Sequence, residues 1–149
     1  MPTICFKDRI LASGRLAAGL EGVPITVLVV DDDPSIRLLC RVNLELDGCT
    51  VLEAGALNEA RELLTDNSVD VVLLDVHVGR DDGRELLREL RRSSPGTPVA
   101  FLTGSVDRGA LETDTERADA VIPKPFRLDE LTSTVKELAA RRREIDSSG

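Results

Sequence analysis

The residues best placed to do chemistry are those that close or directly follow apolar runs. Asp31, Asp32 and Asp33 come after "ITVLVV" and before a proline, Asp75 ends "DVVLLD", Thr103 ends "VAFLT", and Lys124 stands between two prolines in "IPKPF". A solvated turn accounts for the three leading aspartates taken alone. The other reading is half of a cation site whose remaining ligands lie elsewhere in the chain. Two carboxylates about 4 Å apart repel by roughly 4 kcal/mol at an effective dielectric of about 20, so several drawn together need a cation. All-oxygen ligands with room for water suit magnesium, which is typically held by one or two carboxylates together with phosphate oxygens. A lysine beside them supplies positive charge for an incoming phosphoryl oxygen, and a threonine hydroxyl supplies a hydrogen bond.

These residues meet only if the elements between them bring the strand ends together. Ile25 to Val30 is a continuous β-branched and apolar run, as expected of a strand covered on both faces. Pro34 and Ser35 open a helix in which Ile36, Leu39, Cys40 and Asn43 fall at helical spacing. "DGCTVLEA" holds a turn at Asp47-Gly48 and a short strand, and "LNEARELLTD" reads as a second helix with Leu57, Ala60, Leu63 and Leu64 on one face. The third strand, "DVVLLD", leads through the loop "VHVGRDDG" into "RELLRELRR", whose buried stripe is Leu86, Leu87 and Leu90. "VAFLT" and "ADAVI" are the fourth and fifth strands, and the last helix is expected from about Leu128 to Arg142 with Leu131, Val135 and Leu138 inward. Between strands four and five, "GSVDRGALETDTERAD" is the weakest helix, because Gly109, Thr113, Asp114 and Thr115 are poor helix formers. The pattern is (βα)5, an α/β chain with a parallel sheet and helices on both faces. In such sheets ligands bind beyond the carboxyl ends of the strands where the order reverses; with order 2-1-3-4-5, strands one and three are neighbours and their aspartates share a pocket.

Composition bounds the rest. A chain of 149 residues, 42% hydrophobic, is the size of one domain with its own core. Residues 1–23 lack a sustained period and read as a loosely ordered extension, 24–143 as the folded unit, and 144–149 as a tail. A net charge of −8 repels nucleic-acid phosphates and anionic lipid, and the basic run Arg141 to Arg143 reads as a solvated helix end. Cys5, Cys40 and Cys49 form neither a CxxC nor a disulfide framework, which fits a reducing cytoplasm; Cys40 and Cys49 read as core residues. No stretch is long and apolar enough to span a bilayer.

With "VLVVDDDPSIR", "DVVLLDVHVGRDDG", "LTG" and "PKPF" in this order at strand ends, the chain resembles the response-regulator receiver domains of two-component signalling, of the stand-alone chemotaxis-protein type. The resemblance covers Ile25 to about Arg141 and implies the flavodoxin-like strand order 2-1-3-4-5. It further implies that Asp75 accepts a phosphoryl group from a sensor histidine kinase or phosphotransfer protein. Mg2+ would be held by Asp32 directly, by Asp31 through water, by Asp75 and by the backbone carbonyl of His77. Lys124 would bind the phosphoryl group and Thr103 would swing in to hydrogen-bond it. The side chain of His77 is expected in solvent, Asp33 at the rim of the pocket, and Asp81 and Asp82 at a turn and helix cap. Such a protein is expected to be a switch for a downstream protein target rather than an enzyme, and with 13 residues after Lys136 the expectation is a receiver without an output domain.

Two departures from the family pattern stand out. Gly79 occupies a place where relatives commonly carry proline, which predicts a freer loop. Val121 stands where many relatives have Tyr or Phe, so an aromatic swing cannot report phosphorylation there, and the weak segment at 104–120 is the expected mover. Two other functions stay open from the residues. One is a phospho-independent interaction module on the same fold. The other is a haloacid-dehalogenase-like phosphatase, whose DxD pair Asp31 and Asp33 satisfy literally but which leaves Asp75 unexplained.

Overall fold

The computed structural model describes residues 24–104 and 118–148. In chain order the elements are β1 (Thr26–Val30), α1 (Pro34–Leu46), β2 (Thr50–Ala54), α2 (Leu57–Asp66), β3 (Val71–Asp75), β4 (His77–Val78), β5 (Asp81–Asp82), α3 (Arg84–Ser93), β6 (Val99–Thr103), β7 (Ala120–Pro123) and α4 (Leu128–Ser148). A five-stranded parallel sheet runs β2-β1-β3-β6-β7, which is the expected 2-1-3-4-5 once the small β4-β5 hairpin is set aside. The expectations for residues 1–23 and for the helix at 104–119 fall largely outside the described residues.

The apolar run of β1 works on both faces of the sheet because successive side chains point to opposite sides. Leu28 and Val30 join one core with Leu57 and Ala60 of α2 and Leu86, Leu87 and Leu90 of α3. Val27 and Val29 join the other with Cys40 and Leu44 of α1 and Leu131, Val135 and Leu138 of α4. A strand buried on both faces can carry no polar residue until it leaves the core, and so the first carboxylates appear where β1 ends.

Local differences from the expected pattern have physical causes. Within α1, Ile36 packs against the core and Cys40 is buried as expected, but Leu44 is buried with them while Leu39 is 40% exposed, so the packed stripe follows positions 36, 40 and 44. The segment read as the loop "VHVGRDDG" folds into an antiparallel hairpin, with His77 opposite Asp82 and Val78 opposite Asp81. Gly79 supplies its turn at φ +64°, a conformation that most L-residues avoid. The loop without proline is thus a defined turn. Helix α4 continues past Arg142 to Ser148 because Arg and Glu favour helix even after the apolar stripe has ended.

Candidate functional site

Strand register places the pocket. Val30 lies beside Leu74 across the β1–β3 pair, so the residues that follow, Asp31 and Asp75, emerge side by side. On the other side of β3, Asp75 pairs with Leu102, one residue before Thr103, and Thr103 in turn pairs with Pro123, one residue before Lys124. The Lys124 amide donates to the Thr103 carbonyl at 2.7 Å, and the Lys124-Pro125 peptide is cis.

Asp31, Asp32 and Asp75 each offer a carboxylate oxygen within 4.8 Å of the others, with Asp31 buried, Asp75 half-buried and Asp32 exposed. Lys124 Nζ lies 2.9 Å from Asp31 Oδ2 and 3.6 Å from Asp75 Oδ2, so one ammonium bridges both strand ends. Asp31 Oδ1 also accepts from the Asp33 amide at 2.9 Å, and Asp75 Oδ1 accepts from the His77 amide at 3.4 Å. Burial, reinforced by the negative charge of Asp31, pushes the Asp75 carboxyl up to about 6, against the opposing pull of Lys124. For Lys124 burial works against the charged form, but the hydrogen bond and charge of Asp31, with Asp75 behind it, outweigh burial and raise its pKa. Three carboxylates and one ammonium leave an excess of negative charge facing an open side. This donor set, all oxygen and partly solvated, fits a hard divalent cation such as Mg2+.

The remaining residues singled out in the sequence divide. Thr103 is buried beside the pocket and its hydroxyl donates to the Gly104 carbonyl at 3.1 Å. His77 is exposed, and its backbone amide donates to Asp75 Oδ1 at 3.4 Å. Cys40 and Cys49 are buried, and burial, with Asp31 next in importance, pushes the Cys40 thiol up to about 12, which keeps it protonated. Asp82 Oδ1 accepts from the Arg84 amide at 2.9 Å at the start of α3, and the hydrogen bond from the Arg84 side chain holds its carboxyl below the usual range.

Asp33 does more than line the rim. It is the N-cap of α1, its Oδ1 accepting from the Ser35 amide at 2.9 Å with Pro34 in the first helical turn. Its carboxylate is therefore committed to the helix, and the literal DxD of Asp31 and Asp33 is not assembled as a pair. The signal was present in "DPS", an aspartate before a proline that opens a helix. Asp33→Ala is expected to cost about 1 kcal/mol in urea unfolding, the usual worth of an N-cap, and to leave Mg2+ affinity within about twofold; a loss as large as that of Asp32→Ala would place Asp33 among the ligands.

Sequence reasoning also passed over Gly83. A Cβ built there would lie 2.1 Å from the Asp75 carbonyl oxygen, so the start of α3 presses against the strand end that carries Asp75. Gly83→Ala is expected to cost about 2–3 kcal/mol through this overlap and to shift the amide resonances of Asp75 and Val76 first. An unchanged urea midpoint would show that the backbone yields without strain.

The chain is similar to known proteins in sequence and in fold. The sequence model of the response regulator receiver domain matches residues 27–136. The response regulator MprA of Mycolicibacterium vanbaalenii is 36% identical over 129 residues, covering 85% of this chain and 55% of that protein. The sensor kinase CckA of Brucella abortus is 36% identical over 120 residues, 78% of this chain but 13% of the kinase. A response regulator receiver domain protein from Clostridium thermocellum superposes with a TM-score of 0.75 at 29% identity, covering 81% of this chain and 98% of that one. The chain thus spans about half the length of the MprA relatives it matches. Shared sequence, strand order and a carboxylate pocket at the switch point lead to one conclusion: the chain belongs to the response regulator receiver domain family of two-component systems.

Proposed function

We propose that the protein accepts a phosphoryl group on Asp75 from the phosphohistidine of a sensor histidine kinase or phosphotransfer protein, in a Mg2+-dependent reaction, and thereby switches a surface read by another protein. The observation that carries this reading is Lys124 Nζ held between Asp31 and Asp75, 2.9 and 3.6 Å from them. It sets a positive charge beside Asp75, the half-buried carboxylate whose pKa burial and Asp31 push up to about 6.

An Asp75 oxygen attacks phosphorus in line, an acyl phosphate bond forms, and the P–N bond to the kinase imidazole breaks, leaving that nitrogen with its electron pair. Phosphoryl transfer of this kind needs positioning and charge neutralisation rather than covalent help. Asp31, Asp32 and Asp75, with the His77 carbonyl, would hold Mg2+, which when bound supplies the charge that offsets the phosphoryl oxygens. Lys124 exchanges its contact with Asp75 for one with the new phosphoryl group. Thr103 exchanges its bond to Gly104 for a bond to the same group. The chain then acts as a switch that promotes its own phosphorylation and dephosphorylation rather than as an enzyme acting on other molecules. Leu38, Leu39 and Val42, all at least 40% exposed on α1, support a protein rather than a small-molecule partner. The acidic charge of −8 supports a reading without nucleic acid or membrane. Among the described residues no helix is long and apolar enough to cross a membrane.

Phosphotransfer from a panel of sensor kinases to the wild type and to Asp75→Ala tests the reading. Transfer to the wild type alone is expected. Equal labelling of both proteins would move the acceptor elsewhere.

A further inference from the structure

The carboxylates of Asp31 and Asp75 are each held by hydrogen bonds or ion pairs within the pocket. Asp32 is exposed, and where its carboxylate can reach depends on the backbone that carries it. Two peptide planes flank it. The plane after Asp32 is fixed where the Asp33 amide donates to Asp31 Oδ1. The plane before it is fixed at the Asp31 carbonyl, which accepts from Arg37 Nη1 at 2.7 Å.

Arg37 reaches that carbonyl from the first turns of α1 and is itself oriented. Its Nε donates to Glu53 Oε1 at 3.2 Å, from β2, while Arg41 Nη1 holds the other oxygen of Glu53 at 2.8 Å. The guanidinium lies over Gly55, where a Cβ would stand 3.0 Å from Nη1, so a larger residue at 55 would crowd the fork. A planar, permanently charged group with several donors suits this task, since one nitrogen can grip a carbonyl while another is anchored. The Asp31–Asp32 peptide is thereby tied to α1 and, through Glu53, to β2, whose Ala54 carbonyl also accepts from the Asp31 amide at 3.0 Å.

We propose that Arg37 is a positioning residue for the acidic site: anchored by Glu53, it clamps the Asp31 carbonyl and thereby aims the Asp32 carboxylate at the cation. The proposal rests on the reading of Asp31, Asp32 and Asp75 as a Mg2+ site. Arg37 touches neither the cation nor the phosphoryl group, so its loss lowers affinity without removing a ligand. Supporting groups of this kind change metal affinity by about 10- to 100-fold.

The test titrates Mg2+ into wild type, Arg37→Met, Arg37→Lys, Glu53→Gln and Asp32→Asn, following backbone amide shifts, with urea unfolding of each. Arg37→Met is expected to weaken Mg2+ binding about tenfold, with the Asp32 and Asp33 amides displaced before metal is added. Arg37→Lys should recover part of the affinity, since an ammonium can reach the carbonyl but not both partners. Glu53→Gln, which leaves the arginine in place, should give a smaller loss and keeps the proposal testable should Arg37→Met fold poorly. With acetyl phosphate the Arg37→Met rate should return to the wild-type maximum at saturating Mg2+, a shift in half-saturation rather than in limiting rate. Wild-type affinity in both Arg37→Met and Glu53→Gln would overturn the clamp while leaving the metal site intact. Absence of Mg2+ binding by the wild type would overturn the site and the clamp together.

Discussion

Asp75→Asn is expected to make the metal-free protein more stable at pH 7, by about 1–2 kcal/mol, while abolishing its capacity to take up a phosphoryl group. The Asp75 carboxyl titrates near 6 in the folded chain against an ordinary 3.8, pushed up by burial and then by Asp31. The native state therefore binds this proton more tightly than the unfolded chain does. Its contribution to stability is fully present below about pH 4 and is lost as pH rises through about 6. A gap of that size is worth about 3 kcal/mol for a fully buried group, and screening at the open side of the pocket reduces it. Asparagine removes the charge and keeps the shape. The measurement is urea unfolding followed by circular dichroism, because the chain has no Trp or Tyr. At pH 7 the variant should unfold at higher urea than the wild type, and near pH 4 the two should converge. Mg2+ should reverse the ranking by stabilising only the protein that binds it. A destabilised Asp75→Asn at pH 7 without metal would contradict the charge excess assigned to the pocket.

Lys124→Met should act in the opposite direction and more strongly. Asp31, whose side chain is 1% exposed, would lose the ammonium 2.9 Å away and retain the Asp33 amide as its described partner. Removing one member of a buried pair leaves an uncompensated charge and costs about 3 kcal/mol. Replacing both members should be far milder. The double variant Asp31→Asn with Lys124→Met is expected to recover at least half of the loss, a coupling that a double-mutant cycle isolates. Phosphoryl uptake should stay impaired in the double variant despite its recovered stability, because the proposed reaction uses both Lys124 and Asp31. If the two losses simply add, the pair is not coupled and Lys124 owes its place to packing.

Much of the fold and most of the pocket could be read from residues alone, for a reason visible in β1 and β3. A strand covered on both faces must be apolar throughout, so the first charged residue marks where it leaves the core, and parallel order brings those ends together. Thr103 and Lys124 were legible in the same way. What sequence could not show depends on contacts between segments without periodic signal. The β4-β5 hairpin has strands of two residues, too short to display alternation. Gly83 matters through its approach to the Asp75 carbonyl, and Arg37 through a backbone oxygen six residues away, neither of which leaves a pattern. Asp33 is different, since "DPS" carried the cap signal and three adjacent charges obscured it. The end of α4 was set too early because apolar periodicity marks where a helix packs rather than where it stops.

Intact-mass analysis after incubation with acetyl phosphate tests the central claim most directly, run with Mg2+ and with EDTA and followed by mapping of the modified residue. One added phosphoryl group on Asp75, dependent on Mg2+ and absent from Asp75→Asn, is the result expected. Modification of another residue, or equal modification in EDTA, would contradict it.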